Sequence, residues 1–279
     1  MQKRILIIGG GGFLGKTLCK IFHVDGAAVF SLDDRNIDQE DWEQYPAKDL
    51  DTLADDFDLV YLLAAHIPYG AMNTFSPTLI QTNVDLSLRV AQRFQGARVI
   101  YASSVSVYGT PLWLPMTEEH PYNRPSAYAL SKLAGEVAVA AHPDQVTLRF
   151  SSLYGAGMTA RSFLPLIIEQ ARLKGEITLF GDGSRTQDFL HVNDAARLLM
   201  AAGQGKGTGI YNAVNGHATS NLEAAEIVAG LCPGGKIVFK GEDTTPSTAY
   251  STEHWHAHFP MIEMTDLATG LREMMNYAG

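Results

Sequence analysis

The sequence predicts an α/β fold, a doubly wound parallel sheet accompanied by a smaller, discontinuous α/β lobe. Two observations lead to this prediction. Short apolar runs typical of strands buried on both faces alternate with helical patterns up to about Arg149. Beyond that point, loops rich in Gly, Ser and Thr separate shorter elements. Alternating strands and helices imply right-handed crossovers within one parallel sheet, and the later change of pattern indicates a second lobe.

The predicted elements follow one another in order. Residues 4–10, RILIIGG, form a continuous apolar run that ends in glycine, and residues 15–26 continue at helical spacing. Helices are also expected over 83–94 and 127–141. A strand over 209–214 is expected to return to the main sheet. Further strands are expected over 27–34, 58–66, 97–104 and 145–152.

Composition excludes several functional classes. The chain has 279 residues, 46% hydrophobic and 18% charged, which suits one or two globular domains with a sizeable core. Its apolar runs are shorter than the ~18–20 residues that cross a bilayer, and a net charge of -9 argues against a nucleic-acid surface. Cys19 and Cys232 lack metal-ligand spacing. We therefore expect reduced thiols and a cytoplasmic protein.

A glycine-rich loop follows the first strand. Residues 9–15, GGGGFLG, fit both G-x-G-x-x-G from Gly10 and G-x-x-G-x-x-G from Gly9, and both patterns share Gly12 and Gly15. Missing side chains allow a tight turn and let the backbone approach a pyrophosphate at the helix N-terminus. Because a strand precedes this loop and a helix follows it, we expect a dinucleotide site here.

An acidic pair, Asp33 and Asp34, ends the second strand. A carboxylate at this point can accept hydrogen bonds from the adenosine ribose and would repel a 2′-phosphate. Arg35 complicates the choice, because a guanidinium nearby could receive that phosphate. The sequence therefore favours NAD as the cofactor and leaves NADP possible.

The segment SAYALSKLAGE places Tyr128 four residues before Lys132. On a helix these residues share one face, about 6 Å apart along the axis. A free phenol has a pKa of about 10, which is too high for a base at neutral pH, and a nearby ammonium would stabilise the phenolate. Ser103 and Ser104 end a strand at the edge where doubly wound folds bind ligands. A serine hydroxyl there could hold the oxygen that Tyr128 protonates, although Ser103 could equally form a turn.

Taken together, these segments resemble an extended short-chain dehydrogenase/reductase of the NAD-dependent epimerase/dehydratase family, over roughly residues 3–230. The glycine loop, Asp33, DLVYLLAA, TNV, SSVSVYG, SAYALSK and RFSSLYGAG occur in the family's order. The resemblance implies a Rossmann fold with Ser104, Tyr128 and Lys132 as the catalytic set. Tyr128 would be the acid/base, Lys132 would lower its pKa and hold the nicotinamide ribose, and Ser104 would bind the reacting oxygen.

The resemblance also implies which residues surround the cofactor and the substrate. Phe13 and Leu14 would cover the pyrophosphate, Asp49 and Leu50 would flank the adenine, and Asn83 would brace the groove. The complete cofactor set is Gly9, Gly12, Phe13, Leu14, Gly15, Asp33, Asp34, Arg35, Asp49, Leu50, Leu63, Ala64, Ala65, Asn83, Ser103, Tyr128 and Lys132. The substrate set is His66, Ser104, Ser152 and Arg185. No metal ligand is expected.

Departures from the family narrow the reaction. Sugar-nucleotide 4,6-dehydratases resemble Thr-Asp-Glu-Val-Tyr-Gly where residues 104–109 read SVSVYG. Val105 can be neither the proton acceptor nor the proton donor of that pair, and Ser106 is a poor one, which argues against a 4,6-dehydratase. Members that act on nucleotide sugars often carry a diphosphate-binding arginine where this chain has Gln187. Arg185, two residues earlier, is the candidate replacement.

We therefore expect an enzyme that reversibly oxidises a secondary alcohol of a sugar or sugar-nucleotide, with epimerisation as the first hypothesis. An NAD(P)H-dependent reductase of a keto-sugar or other small ketone is the alternative, and a non-catalytic dinucleotide sensor is the second alternative. Residues 1–150 with 186–213 would form the dinucleotide-binding domain, and 151–185 with 214–279 the substrate lobe.

The expected partners are few. The resemblance implies a homodimer, and neither nucleic acid nor a membrane is expected to bind. His254, His256 and His258 alternate along the chain, which would place them on one side of an extended segment. We interpret them as surface or packing histidines, because no carboxylate or cysteine completes a metal-ligand set.

Overall fold

The computed structural model describes residues 2–35, 42–159, 162–232 and 235–277. Within these residues the main sheet has seven parallel strands, which confirms the predicted doubly wound fold. Numbered along the chain, the strands are β1 (Arg4–Ile8), β2 (Ala28–Leu32), β3 (Glu43–Tyr45), β4 (Leu59–Leu62), β5 (Arg98–Ser104), β6 (Gln145–Phe150), β7 (Ser152–Tyr154), β8 (Glu176–Phe180), β9 (Thr186–His191), β10 (Gly209–Ala213), β11 (Ala218–Ser220) and β12 (Lys236–Lys240). The order in the main sheet is β10-β6-β5-β4-β1-β2-β3.

Helices connect these strands and cover both faces of the sheet. The α-helices are α1 (Phe13–Val24), α2 (Pro77–Ile80), α3 (Leu86–Arg93), α4 (Ala127–Ala140), α5 (Phe163–Lys174), α6 (Val192–Gln204), α7 (Asn221–Leu231), α8 (Glu253–His258) and α9 (Leu267–Asn276). Short 3₁₀ helices span Ala47–Asp51 and Val105–Tyr108, and a π-helical stretch over Gln81–Asp85 joins α2 to α3. None of the helices in these described ranges has both the length and the apolarity needed to cross a bilayer.

The side chains of β1 point alternately to the two faces of the sheet and contribute to the core on each face. Ile5 and Ile7 pack with α1 and α6 on one face, and Leu6 and Ile8 pack with α3 and the end of α4 on the other. Both faces of a central parallel strand are buried, so its residues form a continuous apolar run rather than an alternating one. The strand order reverses between β1 and β4. In open α/β sheets a ligand crevice forms at this reversal, beyond the carboxyl ends of the strands.

The second lobe has a three-stranded sheet, β11-β9-β7, and a two-stranded sheet, β12-β8. Its core lies between α5, α7 and α9 and includes Tyr154, Ile177 and Phe189. Met274 and Met275 on α9 pack against this core. The chain returns to the main sheet through α6 and β10, as expected for 209–214. The exact division of the chain into lobes stays a prediction.

Several local predictions differ from the structure. Residues 145–152 do not form one strand, because β6 ends at Phe150 and β7 pairs with β9 in the other sheet. The helical segment expected from residue 83 begins at Pro77, where the Ser76 side chain caps the helix. His254 to His258 lie on helix α8, so alternate residues do not share one side. His254 stacks on the Tyr211 ring, a packing role.

Gly135 on α4 tests how closely this helix packs on the sheet. A Cβ at this position would overlap the Tyr101 hydroxyl and lie 2.7 Å from the Asn83 carbonyl oxygen. We expect Gly135→Ala to lower the free energy of unfolding by about 1–3 kcal/mol in urea denaturation. Gly230→Ala on α7 is the matched control, since nothing lies within 4 Å of its added Cβ; it should gain about 0.5–1 kcal/mol. Similar effects of the two substitutions would contradict close packing at Gly135.

Candidate active site

The carboxyl edge of the main sheet brings the predicted residues together. Ile8, Leu32 and Leu62 are aligned in the register of β1, β2 and β4, so the loops that follow these strands begin side by side. β5 is the neighbour of β4 in the sheet, one strand away from the reversal between β1 and β4, and α4 packs against β5. Open α/β sheets bind their ligands at this edge, and here the edge brings together the glycine loop, the acidic pair and the start of α4.

The glycine loop makes a tight turn that leaves little room for side chains, as Gly9 and Gly15 show. Gly9 has φ +93°, and its carbonyl accepts a hydrogen bond from Gly12 N at 3.0 Å. A Cβ on Gly9 would lie 2.5 Å from Ala64 N, and a Cβ on Gly15 would overlap the Gly9 carbonyl oxygen. Helix α1 begins directly afterwards at Phe13. The turn thus presents the helix N-terminus, with its unpaired N–H groups, to the groove.

Asp33 joins the glycine loop to Arg35. Its carboxylate accepts hydrogen bonds from Gly11 N at 3.1 Å and from the Arg35 Nε and Nη2 atoms at 3.0 and 2.9 Å. Arg35 is exposed, but its guanidinium is paired with Asp33. The Asp34 carboxylate accepts a hydrogen bond from Ala47 N at 3.0 Å and so holds the segment that leads into the first 3₁₀ helix.

The other predicted cofactor residues differ in exposure. Leu63 N and Ala64 N both donate to the Ile8 carbonyl, at 2.8 and 2.9 Å, which places the loop after β4 beside the glycine turn. Ala65 is exposed at this edge. Asp49 is half-buried, whereas Leu50 is fully buried in the core with β2 and β4.

Asn83 connects the loop after β4 to helix α4. Its Oδ1 accepts from His66 N at 2.8 Å, and its Nδ2 donates to the His66 carbonyl at 3.1 Å and to Ser131 Oγ at 2.9 Å. Ser131 Oγ in turn donates to the Tyr128 carbonyl at 2.7 Å. Asn83 is fully buried and His66 is half-buried. The hydrogen bonds of Asn83 therefore fix His66 relative to the helix that carries Tyr128.

Tyr128 and Lys132 are both buried, which changes the acidity of each. Burial raises the pKa of Tyr128 to about 12; the Tyr69 phenol adds to this rise, and a hydrogen bond with the Ser104 side chain opposes it. Burial lowers the pKa of Lys132 to about 7, against the opposite effect of Glu136. Lys132 Nζ also lies 4.3 Å from the centroid of the Tyr101 ring, a cation–π contact.

In the protein alone the pKa of Tyr128 lies above the usual value of a phenol, so the lowering expected for the site with its oxidised cofactor stays a prediction. Desolvation disfavours the charged form of each group, phenolate and ammonium, and it is the largest effect on both. Ser104 lies within hydrogen-bond reach of Tyr128, and Lys132 follows Tyr128 by one turn of α4.

A buried polar network adjoins this set, and it was not predicted from the sequence. Glu136 accepts hydrogen bonds from Arg149 Nε at 3.0 Å, from Arg149 Nη2 at 2.7 Å and from Ser103 Oγ at 2.5 Å. Arg149 also donates to Tyr122 Oη at 2.7 Å. Ser103, one of the predicted cofactor residues, is thus engaged with Glu136. Two signals could have revealed the network: Glu136 follows Lys132 by one helical turn, and Arg149 interrupts an apolar strand.

Tyr69 is a second residue that sequence reasoning missed. It lies in the loop after β4 and is 61% exposed, yet its phenol affects the pKa of Tyr128. The same loop is attached to helix α4 by a hydrogen bond from Tyr128 N to the Met72 carbonyl at 3.0 Å. Only its place between strand and helix could have drawn attention to Tyr69.

The predicted substrate residues of the second lobe lie around β9. Arg185 Nη2 donates to Gln187 Oε1 at 3.4 Å, and Arg185 Nε donates to the Pro246 carbonyl at 3.4 Å. Gln187 Nε2 donates to Asn221 Oδ1 at 2.7 Å. Arg185 therefore lies beside Gln187, which occupies the position of the diphosphate-binding arginine that Arg185 is predicted to replace. Ser152 is exposed at the start of β7.

Ser106 lies in the 3₁₀ helix that follows Ser104. Its Oγ is buried and has no hydrogen-bond partner among the residues that the structure describes. Across those same ranges, no group of His, Cys, Asp and Glu side chains is arranged to hold a metal ion.

Known proteins resemble this chain in sequence and in fold. The model of the NAD dependent epimerase/dehydratase family matches residues 5–214. A UDP-glucose 4-epimerase of Mycolicibacterium smegmatis is 32% identical over 262 residues, covering 81% of this chain and 82% of the relative. A dTDP-glucose 4,6-dehydratase of Actinoplanes sp. is 31% identical over 212 residues, covering 71% of this chain and 64% of the relative. Among solved structures, MoeE5 in complex with UDP-glucuronic acid and NAD aligns with a TM-score of 0.82 at 27% identity, covering 98% of this chain and 97% of that one.

Asn83 provides a test of the bridge between the β4 loop and α4. Asn83→Ala removes three hydrogen bonds and leaves buried groups unpaired, so we expect a loss of about 2–4 kcal/mol in the free energy of unfolding and faster amide exchange at His66. Asn73→Ala, at an exposed position in the same loop, should stay within about 0.5 kcal/mol of the original protein. Unchanged exchange at His66 in Asn83→Ala would contradict the bridge.

Proposed function

The chain belongs to the NAD dependent epimerase/dehydratase family, and on that premise we propose that it is an epimerase that inverts a secondary alcohol of a nucleotide sugar. The observation that supports this most is the placement of Ser104 beside Tyr128 at the end of β5, with Lys132 one helical turn further on, in the same sheet whose first strand leads into the glycine turn. This set can move a proton on and off one oxygen.

The groove fits NAD on two structural grounds. Side chains are excluded from the turn at Gly9 and Gly15, so the backbone can approach a pyrophosphate. Asp33 lies at the end of β2 with its carboxylate toward the glycine loop, where a ribose would be bound. NAD, when bound, supplies a hydride acceptor and a positively charged ring. Phe13, Leu14 and the loop after β4 would enclose it, and Lys132 would hold the nicotinamide ribose.

The pairing of Arg35 supports NAD over NADP. Its guanidinium is bound by the Asp33 carboxylate, which would itself repel a 2′-phosphate. An arginine that served a 2′-phosphate would need that charge free. NADP use therefore requires Asp33 and Arg35 to separate.

The protein side of the proposed reaction is proton transfer. Ser104 would hold the reacting oxygen while the Tyr128 phenolate takes the hydroxyl proton, and the same proton is returned when the alcohol re-forms. A positive charge on Lys132 or on the nicotinamide ring would favour the phenolate, whereas burial of Tyr128 in the protein alone favours the protonated acid. Epimerisation further requires room for the keto sugar to present its other face.

Val105 and Ser106 support epimerisation over dehydration. Removing water from a sugar needs an acid and a base at the carbon beside the carbonyl, and neither side chain titrates in the useful range. Although the Actinoplanes relative is a 4,6-dehydratase by its name, this part of the site lacks the pair that such chemistry requires.

A sugar nucleotide is the proposed substrate class. The Mycolicibacterium relative is a UDP-glucose 4-epimerase and MoeE5 binds UDP-glucuronic acid. His66, Ser152 and Arg185 are the side chains that we assign to the substrate. Gln187 favours the second candidate, a reductase of a keto-sugar or other small ketone, because a glutamine cannot neutralise a diphosphate.

We further propose that two copies of this chain associate through the outer face of α3 and α4. Leu88, Leu130 and Val137 are 44%, 42% and 74% exposed there. Apolar side chains on adjacent helices favour association.

Tyr128→Phe tests the acid/base role. We expect turnover of UDP-glucose or UDP-galactose, followed by anomeric-proton NMR, to fall about 10²–10⁴-fold while NAD affinity stays within about threefold. Tyr277→Phe, at an exposed tyrosine, is the control and should keep full turnover. If the original protein consumes NADH in step with product, the reductase is supported instead. Full turnover by Tyr128→Phe would remove this residue from the mechanism.

Asp33→Ala tests the cofactor choice. Loss of the carboxylate removes the ribose contact and frees Arg35, so the ratio of NAD to NADP dissociation constants should rise at least about tenfold in fluorescence titrations. Adding Arg35→Ala should cancel the gain in NADP affinity. Asp25→Ala, an exposed carboxylate at the far end of α1, should change neither constant. A preference that does not move in Asp33→Ala would contradict the assignment.

A further inference from the structure

A buried carboxylate lies where the chain passes from the main sheet to the second lobe. Asp188 on β9 is 2% exposed, and the proposed reaction gives it no contact with substrate or cofactor. We propose that Asp188 is a positioning residue for the substrate: its carboxylate holds together the two crossings between the sheets and so fixes the second lobe relative to the main sheet. This inference rests on the proposed assignment of Ser152 and Arg185 to the substrate.

The chain crosses from the main sheet to the three-stranded sheet at two places. The first crossing lies between Phe150, the last residue of β6, and Ser152, the first residue of β7. The second lies between Ala213 at the end of β10 and Ala218 at the start of β11. Because β6 and β10 are paired in the main sheet, the two crossings start side by side. They end on either side of β9, which pairs with both β7 and β11.

The Asp188 carboxylate binds both crossings. Its Oδ1 accepts a hydrogen bond from Ser151 Oγ in the first crossing and one from Asn215 N in the second, the latter at 2.9 Å. Its Oδ2 accepts from Gly216 N at 2.8 Å. Donors on both oxygens suit an ionised carboxylate, which can only accept. Charge-assisted bonds of this kind are strong, and they are costly to break where the groups are buried.

The same bonds connect segments that carry assigned substrate residues. Ser151 directly precedes Ser152, which is aligned with Phe189, the neighbour of Asp188, in the register of β7 and β9. Arg185 directly precedes β9. A substrate held by these side chains while it reacts at the edge of the main sheet spans both lobes. Loss of the carboxylate should therefore weaken substrate binding and leave cofactor binding, which uses the main sheet, nearly unchanged.

Asp188→Asn keeps the shape of the side chain and changes what it can bind. The amide has one accepting oxygen, so its NH₂ group must face at least one of the three donors in either orientation. One of the two crossings is then no longer held. Ser151→Ala removes the hydroxyl of the first crossing alone, and it is the informative variant if Asp188→Asn does not fold.

A purely structural role predicts a loss of stability without any change in the arrangement of the lobes. Arg98 and Asp144 form an arginine–carboxylate pair at the amino-terminal end of β5, far from both crossings, with Arg98 buried. Breaking such a pair destabilises a fold wherever it lies. Asp144→Asn therefore reports what the loss of a polar contact does to stability alone.

The first measurement needs neither substrate nor cofactor. Val24→Cys at the end of α1 and Leu173→Cys near the end of α5 place one spin label on each lobe, at side chains that are 83% and 75% exposed. Cys19 and Cys232 are buried, which directs the label to the introduced cysteines. Dilution with unlabelled protein restricts the double electron–electron resonance signal to distances within one copy.

Asp188→Asn should widen this distance distribution by about 2 Å or more, the size of a small domain rearrangement, because one crossing is released. Ser151→Ala should widen it by less, since both backbone N–H groups of the second crossing still bind the carboxylate. Asp144→Asn should lower the thermal midpoint and leave the distribution unchanged.

The second measurement separates the substrate from the cofactor. In Asp188→Asn the dissociation constant of UDP-glucose, measured by calorimetry with NAD bound, should rise about tenfold, while that of NAD stays within about threefold. KM should rise accordingly, with a smaller change in kcat. Asp144→Asn should change neither dissociation constant.

An unchanged distance distribution in both Asp188→Asn and Ser151→Ala would overturn the proposal. A wider distribution with unchanged UDP-glucose binding would also overturn it, because the position of the second lobe would then not matter to the substrate. If UDP-glucose does not bind the original protein, the proposed substrate class fails, while the distances still decide whether Asp188 holds the two lobes together.

Discussion

The burial of Lys132 between α4 and β5 is the constraint on which the site depends. A cation without water needs compensation, and the chain provides it from two directions, the Tyr101 ring and the Glu136 carboxylate. Close approach of α4 to the sheet is possible because Gly135 has no side chain to hold the helix away from Tyr101. The same burial strengthens electrostatic effects in the site, so small changes of charge there have large consequences for acidity.

The parallel sheet brings together site residues from distant parts of the chain. Residues near positions 9, 33, 65, 104 and 128 meet because parallel strands end at one edge. Asn83 then fixes one of these loops to α4, and Glu136 fixes the helix to two strands. Polar bridges of this kind position loops more accurately than apolar contacts, because they are directional and costly to break when buried.

Local signals explain what the sequence could predict. The glycine turn, the apolar strands and the Tyr128–Lys132 spacing each depend on neighbours in the chain, and the fold class and family followed from them. The Glu136–Arg149 pair was missed because its partners lie on two different elements, α4 and β6, 13 residues apart in the chain. The rise of the Tyr128 pKa in the protein alone was not predicted, since sequence spacing reveals proximity to Lys132 but not the depth of burial that both groups share. The end of β6 at Phe150 depends on pairing with a strand that comes much later.

The choice of reaction rests on residues outside the hydride-transfer set. Ser104, Tyr128 and Lys132 would serve an epimerase, a dehydratase or a reductase equally, because each reaction includes a proton transfer at the oxygen of the reacting carbon, in one direction or the other. What separates these reactions is whether an acid and a base stand beside the carbonyl, and whether the substrate is held by its diphosphate. Val105 and Ser106 offer neither an acid nor a base beside the carbonyl. Binding of the diphosphate depends on Arg185, whose hydrogen bonds to Gln187 and Pro246 are long at 3.4 Å and would be easily exchanged for a phosphate oxygen.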